Sequence, residues 1–427
     1  MSDAASQYPG VSDAACRSCG SDGLRVFLSL GELPASDGLL APHQWDRVEP
    51  RWPLDVAFCP ACTLVQILET VPPEQLFGEG YRYFSSFTDR IVRHAADNVA
   101  ARLAERRLDA GSLVVELASN DGYLLKHYQA AGVPVLGVDP APGPAAEAIR
   151  QGVPTLQAFF GLDLARELAA HGRRADVIHA NNVLAHVAGT NDFVAGIAAL
   201  LKPDGIAVIE APYVRELIDH GEFDTIYHEH LCYFSVSALM PLFRRHGLHL
   251  NRVERIDIHG GSLRLFVEPF ERPQASVLDL LAEERRAGVD RFDYYAGFGR
   301  RVLHIRQALG AMLRSLKAEG RRLVGYGAAA KGTILLNYVG IGPELLDYVV
   351  DRNTHKQGCR VPGVRLPIEA PGRILADQPD YVLILPWNFK DEIIGQQAEY
   401  VRRGGRFIVP IPEPAILQPA ILQPVCA

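Results

Sequence analysis

The sequence predicts an α/β protein in three parts: a small metal-stapled N-terminal module, a doubly wound parallel sheet, and a second, Rossmann-like α/β unit. Three observations predict it. Four of the seven cysteines fall into two CxxC pairs near the start; strand-like and helix-like runs alternate from about residue 110; and that alternation restarts near residue 322, after a charged helical stretch. A chain of 427 residues is too long for one core. Boundaries at 1–75, 76–270 and 271–427 follow from the changes of pattern.

Composition narrows the function classes. A hydrophobic fraction of 48% with 22% charged residues is that of a globular protein. The net charge is −7 and no long Lys/Arg run forms a phosphate-tracking stripe, which argues against a nucleic-acid partner. The start MSDAASQYPGVSDAAC has neither a basic end nor an apolar stretch, and no apolar run reaches about eighteen residues, so a cytoplasmic protein without a membrane span is expected. Nothing in the pattern asks for an oligomer, and a monomer is compatible with it.

The N-terminal module holds Cys16 and Cys19 in CRSCG and Cys59 and Cys62 in CPACT. A CxxC turn points two sulfurs inward, and two such turns complete a tetrahedral zinc site. With thiolates at all four positions the site is closed and structural. The odd cysteine count suits a reduced compartment, where the alternative is a set of buried or redox cysteines.

The second part opens with an amphipathic helix over about 85–108, FTDRIVRHAADNVAARLAERRL. Strands follow at SLVVELAS, VPVLGVD, ADVIHANNVL and IAVIEAP, separated by helices around PAAEAIRQ, ARELAAHG and FVAGIAALL. HLNRVERIDIH and SLRLFVEP read as two neighbouring strands that close the unit. In VVELASNDGYLLK the first strand ends in Glu116, and Ala118, Ser119 and Gly122 keep the following turn small enough for a cofactor to approach the backbone. Asn120 and Asp121 offer polar contacts to an amino-acid tail. The second strand ends in Asp139, an acid placed for a ribose diol, which suits a nicotinamide nucleotide or S-adenosylmethionine. Without a full GxGxxG there is no cradle for a pyrophosphate, and the dinucleotide is disfavoured. A purely structural turn is the plain alternative.

FDTIYHEHLCYFS packs Tyr227, His228, Glu229 and His230 together: a base, a neighbour that tunes it, and a phenol that can serve an oxyanion. In a regular strand His228 and His230 would share one face as a metal edge, and in a solvated loop the cluster would carry no meaning. For Tyr227, Glu229 and His230 to converge, the backbone must be irregular.

The third part follows a helical stretch over about 276–319 and reads strand, helix, strand through RRLVGYGAAAKGTILLNY, LDYVVDRN, YVLILPW and RFIVPIP. GYGAAAK fits GxGxxA and Asp351 ends the next strand, so by spacing alone this is a nicotinamide site. The tail PAILQPAILQPVCA contains a short duplication and is expected to pack poorly.

Taken in order, the CxxC pairs, GYRYFSSFTD, VELASNDG, NNVLAHV, YHEHLCYFS, HGGSLR, GYGAAAKG and DRNTHKQG span nearly the whole chain. This set resembles the sugar C-methyltransferases of deoxysugar biosynthesis. The resemblance implies a class I methyltransferase sheet that binds S-adenosylmethionine, a structural zinc, and a thymidine-diphosphate 4-keto-6-deoxysugar methylated beside its ketone. It implies that His230 abstracts the proton, with Tyr227 and Glu229 beside it, and that His186 of LAHV and Tyr81 of GYRY join the same pocket. It places Asn181 of NNVL with the donor. It also implies that the C-terminal domain helps hold the sugar nucleotide without a nicotinamide: Lys331 at a helix start suits the diphosphate, and Ser85, Ser86, His228 and Arg264 are weaker candidates for the same ligand. The competing functions are an N- or O-methyltransferase of another small metabolite, a nicotinamide-dependent sugar dehydrogenase, and a zinc-ribbon nucleic-acid binder.

Overall fold

The computed structural model describes residues 11–12, 14–78 and 81–417. The chain forms two compact units: one takes the residues as far as Leu28, Asp55–Glu216 and Glu229–Ala296, and the other Ser29–Leu54, Leu217–His228 and Gly297 onward. A seven-stranded sheet lies within the first and a six-stranded sheet within the second.

The main sheet of the first unit has seven strands, in the order His249–Ile256, Ser262–Glu268, Leu201–Pro212, Ala175–Asn181, Val114–Leu117, Val135–Val138, Thr155–Leu156. The five strands from Leu201–Pro212 to Thr155–Leu156 are parallel, and Ser262–Glu268 runs antiparallel to both its neighbours. This is the class I methyltransferase sheet. Its central strands VVEL and VLGV are buried at every position, as expected of a sheet covered on both faces. The helix Asp89–Glu105 lays Ile91, Ala95 and Val99 on Val114, Val177, Val208 and Phe266. The strand order reverses between Val114–Leu117 and Ala175–Asn181, which opens a crevice at their carboxyl ends.

A second sheet in the N-terminal part has five strands, in the order Val11–Ser12, Leu24–Leu33, Trp52–Phe58, Val65–Ile67 and Cys232–Tyr233. Leu24–Leu33 begins among the residues of the first unit and ends among those of the second, and Trp52–Phe58 the reverse. The last strand comes from far along the sequence, with Cys232 opposite Gln66 and Tyr233 opposite Val65. The residues that follow His230 are therefore a strand of the cysteine-bearing module. Behind them, the buried Glu284 of helix Ala275–Ala287 accepts from the backbone N–H groups of Val236 and Ser237, 2.8 Å each, and from the Tyr213 hydroxyl at 2.9 Å. That carboxylate caps helix Val236–Arg245 at its positive end.

The second unit carries a six-stranded sheet in the order Ile368–Glu369, Val349–Val350, Leu323–Tyr326, Tyr381–Ile384, Arg406–Val409, Ala415–Leu417. It is parallel except for the last strand. The start of the tail forms a strand that was not foreseen: Ala415–Leu417 pairs with Arg406–Val409, Ile416 opposite Ile408, because its backbone completes an otherwise open sheet edge, while Ala415 and Ile416 stay exposed. The duplicated remainder, 418–427, lies outside the described residues. Among the described residues no helix is long and apolar enough to cross a membrane.

Candidate functional site

The four cysteines of the N-terminal module meet as the spacing predicts. Their sulfurs all lie within 4.8 Å of one another, with Cys16 and Cys62 at 3.5 Å and Cys19 and Cys59 at 3.7 Å. Each CxxC closes its turn with a backbone bond, Gly20 N–H to Cys16 O at 2.9 Å and Thr63 N–H to Cys59 O at 2.8 Å. The residue after each pair is left-handed: Gly20 at φ 73° adopts this freely, while the β-branched Thr63 at φ 63° does so under strain. The hydrogen bond from Cys62 brings the Cys16 thiol down to about 5, and burial pushes that of Cys59 up to about 11. Cys16, Cys59 and Cys62 are buried and none of the four is in a disulfide. The set fits a structural zinc ion.

At the crevice of the main sheet, the turn after Glu116 takes left-handed backbone at Ala118 (φ 55°), Asn120 (φ 49°) and Gly122 (φ 79°). Asp139 holds this turn. Its two carboxylate oxygens accept from Asn120 N–H and Ala141 N–H, 2.8 Å each, and burial raises it to about 6. Burial, then the charges of Asp121, Asp139 and Glu210, holds Glu116 well above the usual carboxylate range. Three buried polar atoms of the turn, Glu116 Oε2, Ser119 Oγ and Asp121 Oδ1, have no hydrogen-bond partner among the described residues. Unmet buried polar atoms are costly and point to a polar ligand. Three acids around them favour a cationic one, and a sulfonium with an amino-acid tail fits this turn.

Asn120 and Asp121 have further work. Asn120 accepts from Ser85 N–H at 2.9 Å and donates to Tyr83 O at 3.1 Å; Asp121 Oδ2 accepts from the Ser86 hydroxyl at 2.5 Å and Ser86 N–H at 3.2 Å. The segment Tyr83–Ser86 is thus clasped to the turn, a role that sequence spacing did not suggest. Asn181 ends the neighbouring strand, where it lies beside Tyr123. Arg264 is engaged by the buried Glu210, Nε to Oε1 at 2.8 Å, and Glu210 also meets His94 at 2.9 Å. Neither His94 nor Glu210 carried a motif that would have singled it out.

The segment 226–231 is neither helix nor strand, between the short helix Phe223–Thr225 and the strand Cys232–Tyr233. The division between the compact units falls within it, after His228. On the second-unit side Tyr227 is half-buried, and the buried His228 directs Nε2 to the carbonyls of Trp52 and Pro53, 3.2 Å each. On the first-unit side Glu229 and His230 are buried. The His230 ring meets that of His186 edge-on, centroids 4.6 Å apart at 78°. Phe77 lies edge-on to both His186, at 5.9 Å, and Tyr81, at 5.5 Å. Burial lowers His186 to about 4, opposed by a backbone hydrogen bond to Glu229. His186 is therefore neutral near pH 7, and one backbone bond, Leu231 N–H to Ala185 O at 2.7 Å, holds the two histidines together.

In the second unit the GYGAAAK turn is filled by its own protein. A Cβ on Gly327 would lie 2.4 Å from Pro386 Cδ, so this glycine admits a proline, not a pyrophosphate. Asp351 accepts from Ala328 N–H and Asn353 N–H, 2.7 Å each, and the buried Lys356 donates to Ala328 O at 2.8 Å. Lys331 donates to Asn388 Oδ1 at 3.0 Å and lies 4.5 Å from the Trp387 ring centroid. Burial lowers its pKa, opposed by the charges of Asp224 and Glu222. Asp224 is itself buried and bonded by Trp387 Nε1 at 2.8 Å.

Comparison with known proteins places these parts. Residues 16–77 match the family described as a zinc binding domain, 88–253 a methyltransferase domain, and 257–412 a C-methyltransferase C-terminal domain. The C-methyltransferase NovU of Streptomyces niveus is 37% identical over 405 residues, covering 94% of this chain and 96% of that protein. Among solved structures, the PH0226 protein from Pyrococcus horikoshii OT3 is 16% identical over 44% of this chain and 98% of that one, with a TM-score of 0.36. Magnesium protoporphyrin IX methyltransferase from Synechocystis PCC 6803 is 17% identical over 46% of this chain and 88% of that one, with a TM-score of 0.32. Neither likeness to a solved structure bears on the chemistry.

Proposed function

Because this chain belongs to the S-adenosylmethionine-dependent C-methyltransferases with a zinc binding domain, we propose that it methylates the carbon beside the ketone of a thymidine-diphosphate 4-keto-6-deoxysugar, with His230 as the base. The observation that carries this reading is the edge-on pair of the half-buried His186 with the buried His230, next to the buried Glu229. Methyl transfer to carbon differs from transfer to nitrogen or oxygen in one demand: a C–H proton must leave first, and a positioned imidazole is suited to take it.

S-adenosylmethionine, when bound, supplies an electrophilic methyl group. Glu116, Ser119 and Asp121 would hold it through their unmet polar atoms, with Asp139 for its ribose. His230 takes the alpha proton on a ring nitrogen, leaving an enolate whose charge needs a hydrogen-bond donor. His186, held neutral by burial, presents a ring N–H without adding a second positive charge. Glu229 stabilises the imidazolium that His230 becomes. Tyr227 as oxyanion donor and Tyr81 as a substrate contact enter on the family resemblance.

The test is to incubate the enzyme with the ketosugar in deuterated water and locate deuterium and methyl in the product by mass spectrometry and NMR. Exchange at the alpha carbon and methyl on that carbon are expected. His230→Ala should bind donor normally and lose both exchange and turnover by roughly a hundredfold or more. Methyl on a heteroatom, or near-normal exchange in the variant, overturns the reading.

A further inference from the structure

We infer that Arg17, inside the first zinc knuckle, is a positioning residue for proton abstraction, setting where His186 and His230 stand. This rests on the reading of His230 as the base. Arg17 lies between Cys16 and Cys19, and the knuckle backbone around it is fixed from outside: Asn191 Nδ2 donates to Arg17 O at 3.0 Å and Ser18 O at 2.9 Å, and Arg245 donates to Ser18 O at 2.8 Å. From that fixed base Arg17 reaches the strand Val65–Ile67. Its backbone N–H donates to the buried Gln66 Oε1 at 2.9 Å. Its guanidinium donates to Ile67 O at 3.3 Å, Glu69 O at 2.9 Å and the Thr70 hydroxyl at 2.8 Å.

The same residue, Ile67, leads on to the site. Ile67 N–H donates to Leu231 O at 3.1 Å, and Leu231 N–H donates to Ala185 O at 2.7 Å. Leu231 follows His230 in the chain, and Ala185 precedes His186. Hydrogen bonds therefore link the knuckle through Arg17, Ile67 and Leu231 to Ala185, so that the chain neighbours of both histidines are tied to it, all within one compact unit.

The residue type fits the task. One guanidinium nitrogen, Nη2, gathers two main-chain carbonyls and a hydroxyl at the strand end. A half-buried cation with neutral acceptors is a costly way to hold a strand end unless its position matters. Four thiolates around zinc would give it a net negative neighbour, so the metal would hold the strand end as well as the fold.

The test uses full-length Arg17→Met and Arg17→Lys, measuring zinc content, donor affinity, alpha-proton exchange of the ketosugar in deuterated water, and kcat and KM. Arg17→Met is expected to keep stoichiometric zinc and wild-type donor affinity while exchange and kcat fall together by roughly tenfold or more, the scale of a misplaced catalytic group. Arg17→Lys should recover part of that loss. A wild-type exchange rate in zinc-loaded Arg17→Met overturns the inference, as does a loss that tracks missing zinc or donor binding. If Arg17→Met does not fold, zinc-loaded Arg17→Lys decides: slower exchange at unchanged donor affinity supports the role, and unchanged exchange overturns it. His230→Ala separates the two readings. Normal exchange in that variant removes the base assignment itself, whereas a dead His230→Ala beside a normal Arg17→Met removes only the role of Arg17.

Discussion

In the first unit Asp139 ends a strand and accepts from the N–H of Asn120 in the neighbouring turn and of Ala141 two residues on. In the second unit Asp351 ends a strand and accepts from Ala328 in its neighbouring turn and Asn353 two residues on. The device is the same. What differs is what each turn leaves unmet. Around Asp139, Glu116, Ser119 and Asp121 keep buried polar atoms without partners; around Asp351, Pro386 occupies the space that Gly327 opens and Lys356 satisfies the turn carbonyl. Strand, glycine and acid specify a local fold. The unsatisfied atoms are what indicate a ligand, and they occur at the turn whose fingerprint is the less complete.

One substitution made at both acids tests that contrast most severely. Asp139→Asn should weaken S-adenosylmethionine binding by roughly 10- to 100-fold, the loss of a charge-assisted contact, while Asp351→Asn should lower stability and leave donor affinity unchanged. Isothermal titration with thermal melts checks both; equal effects on donor binding would break the distinction. A smaller effect is expected at Glu116→Gln, roughly tenfold in donor affinity with the fold retained, because burial holds Glu116 protonated and it offers the cationic donor a charge only once binding ionises it.

The smallest effect is a pH dependence. Asp139 is raised to about 6 by burial, so between its unfolded value near 4 and about 6 the folded state binds more protons than the unfolded state. Its contribution to stability therefore falls as pH rises through that window. Affinity for a cationic donor moves the other way, strengthening a few-fold from about pH 5 to 7 as Asp139 ionises. A flat profile in the wild type, or the same slope in Asp139→Asn, would show that another group is responsible.

Much of this was legible in the residues. The cysteine spacing states its geometry because a CxxC turn has few conformations, and the strands VVEL and VLGV identify themselves as continuous apolar runs. YHEH, residues 227–230, could be expected to be irregular because only a broken period would let Tyr227, Glu229 and His230 converge. Other parts were hidden for definite reasons. The pairing of Cys232 with Gln66 joins residues far apart in sequence through backbone groups, which have no letter in the sequence. The clasp of Asn120 and Asp121 on Tyr83–Ser86 uses side chains that equally suited a ligand. Arg264 stands in a motif, yet its partner Glu210 lies on a neighbouring strand, and only the register of the sheet sets them opposite each other. At the tail, three apolar residues were not enough to announce an edge strand.

Leu231 has a consequence for how such a protein is surveyed. Its amide and carbonyl tie the strand Val65–Ile67 to Ala185, just before His186, but both groups belong to the main chain. Alanine scanning would leave both ties in place and report only the value of an isobutyl group in a buried niche. The same blindness extends to comparison of relatives, where such a position can drift among apolar residues and look permissive. Only proline, or an ester in place of the amide, removes the donor and exposes what that position does.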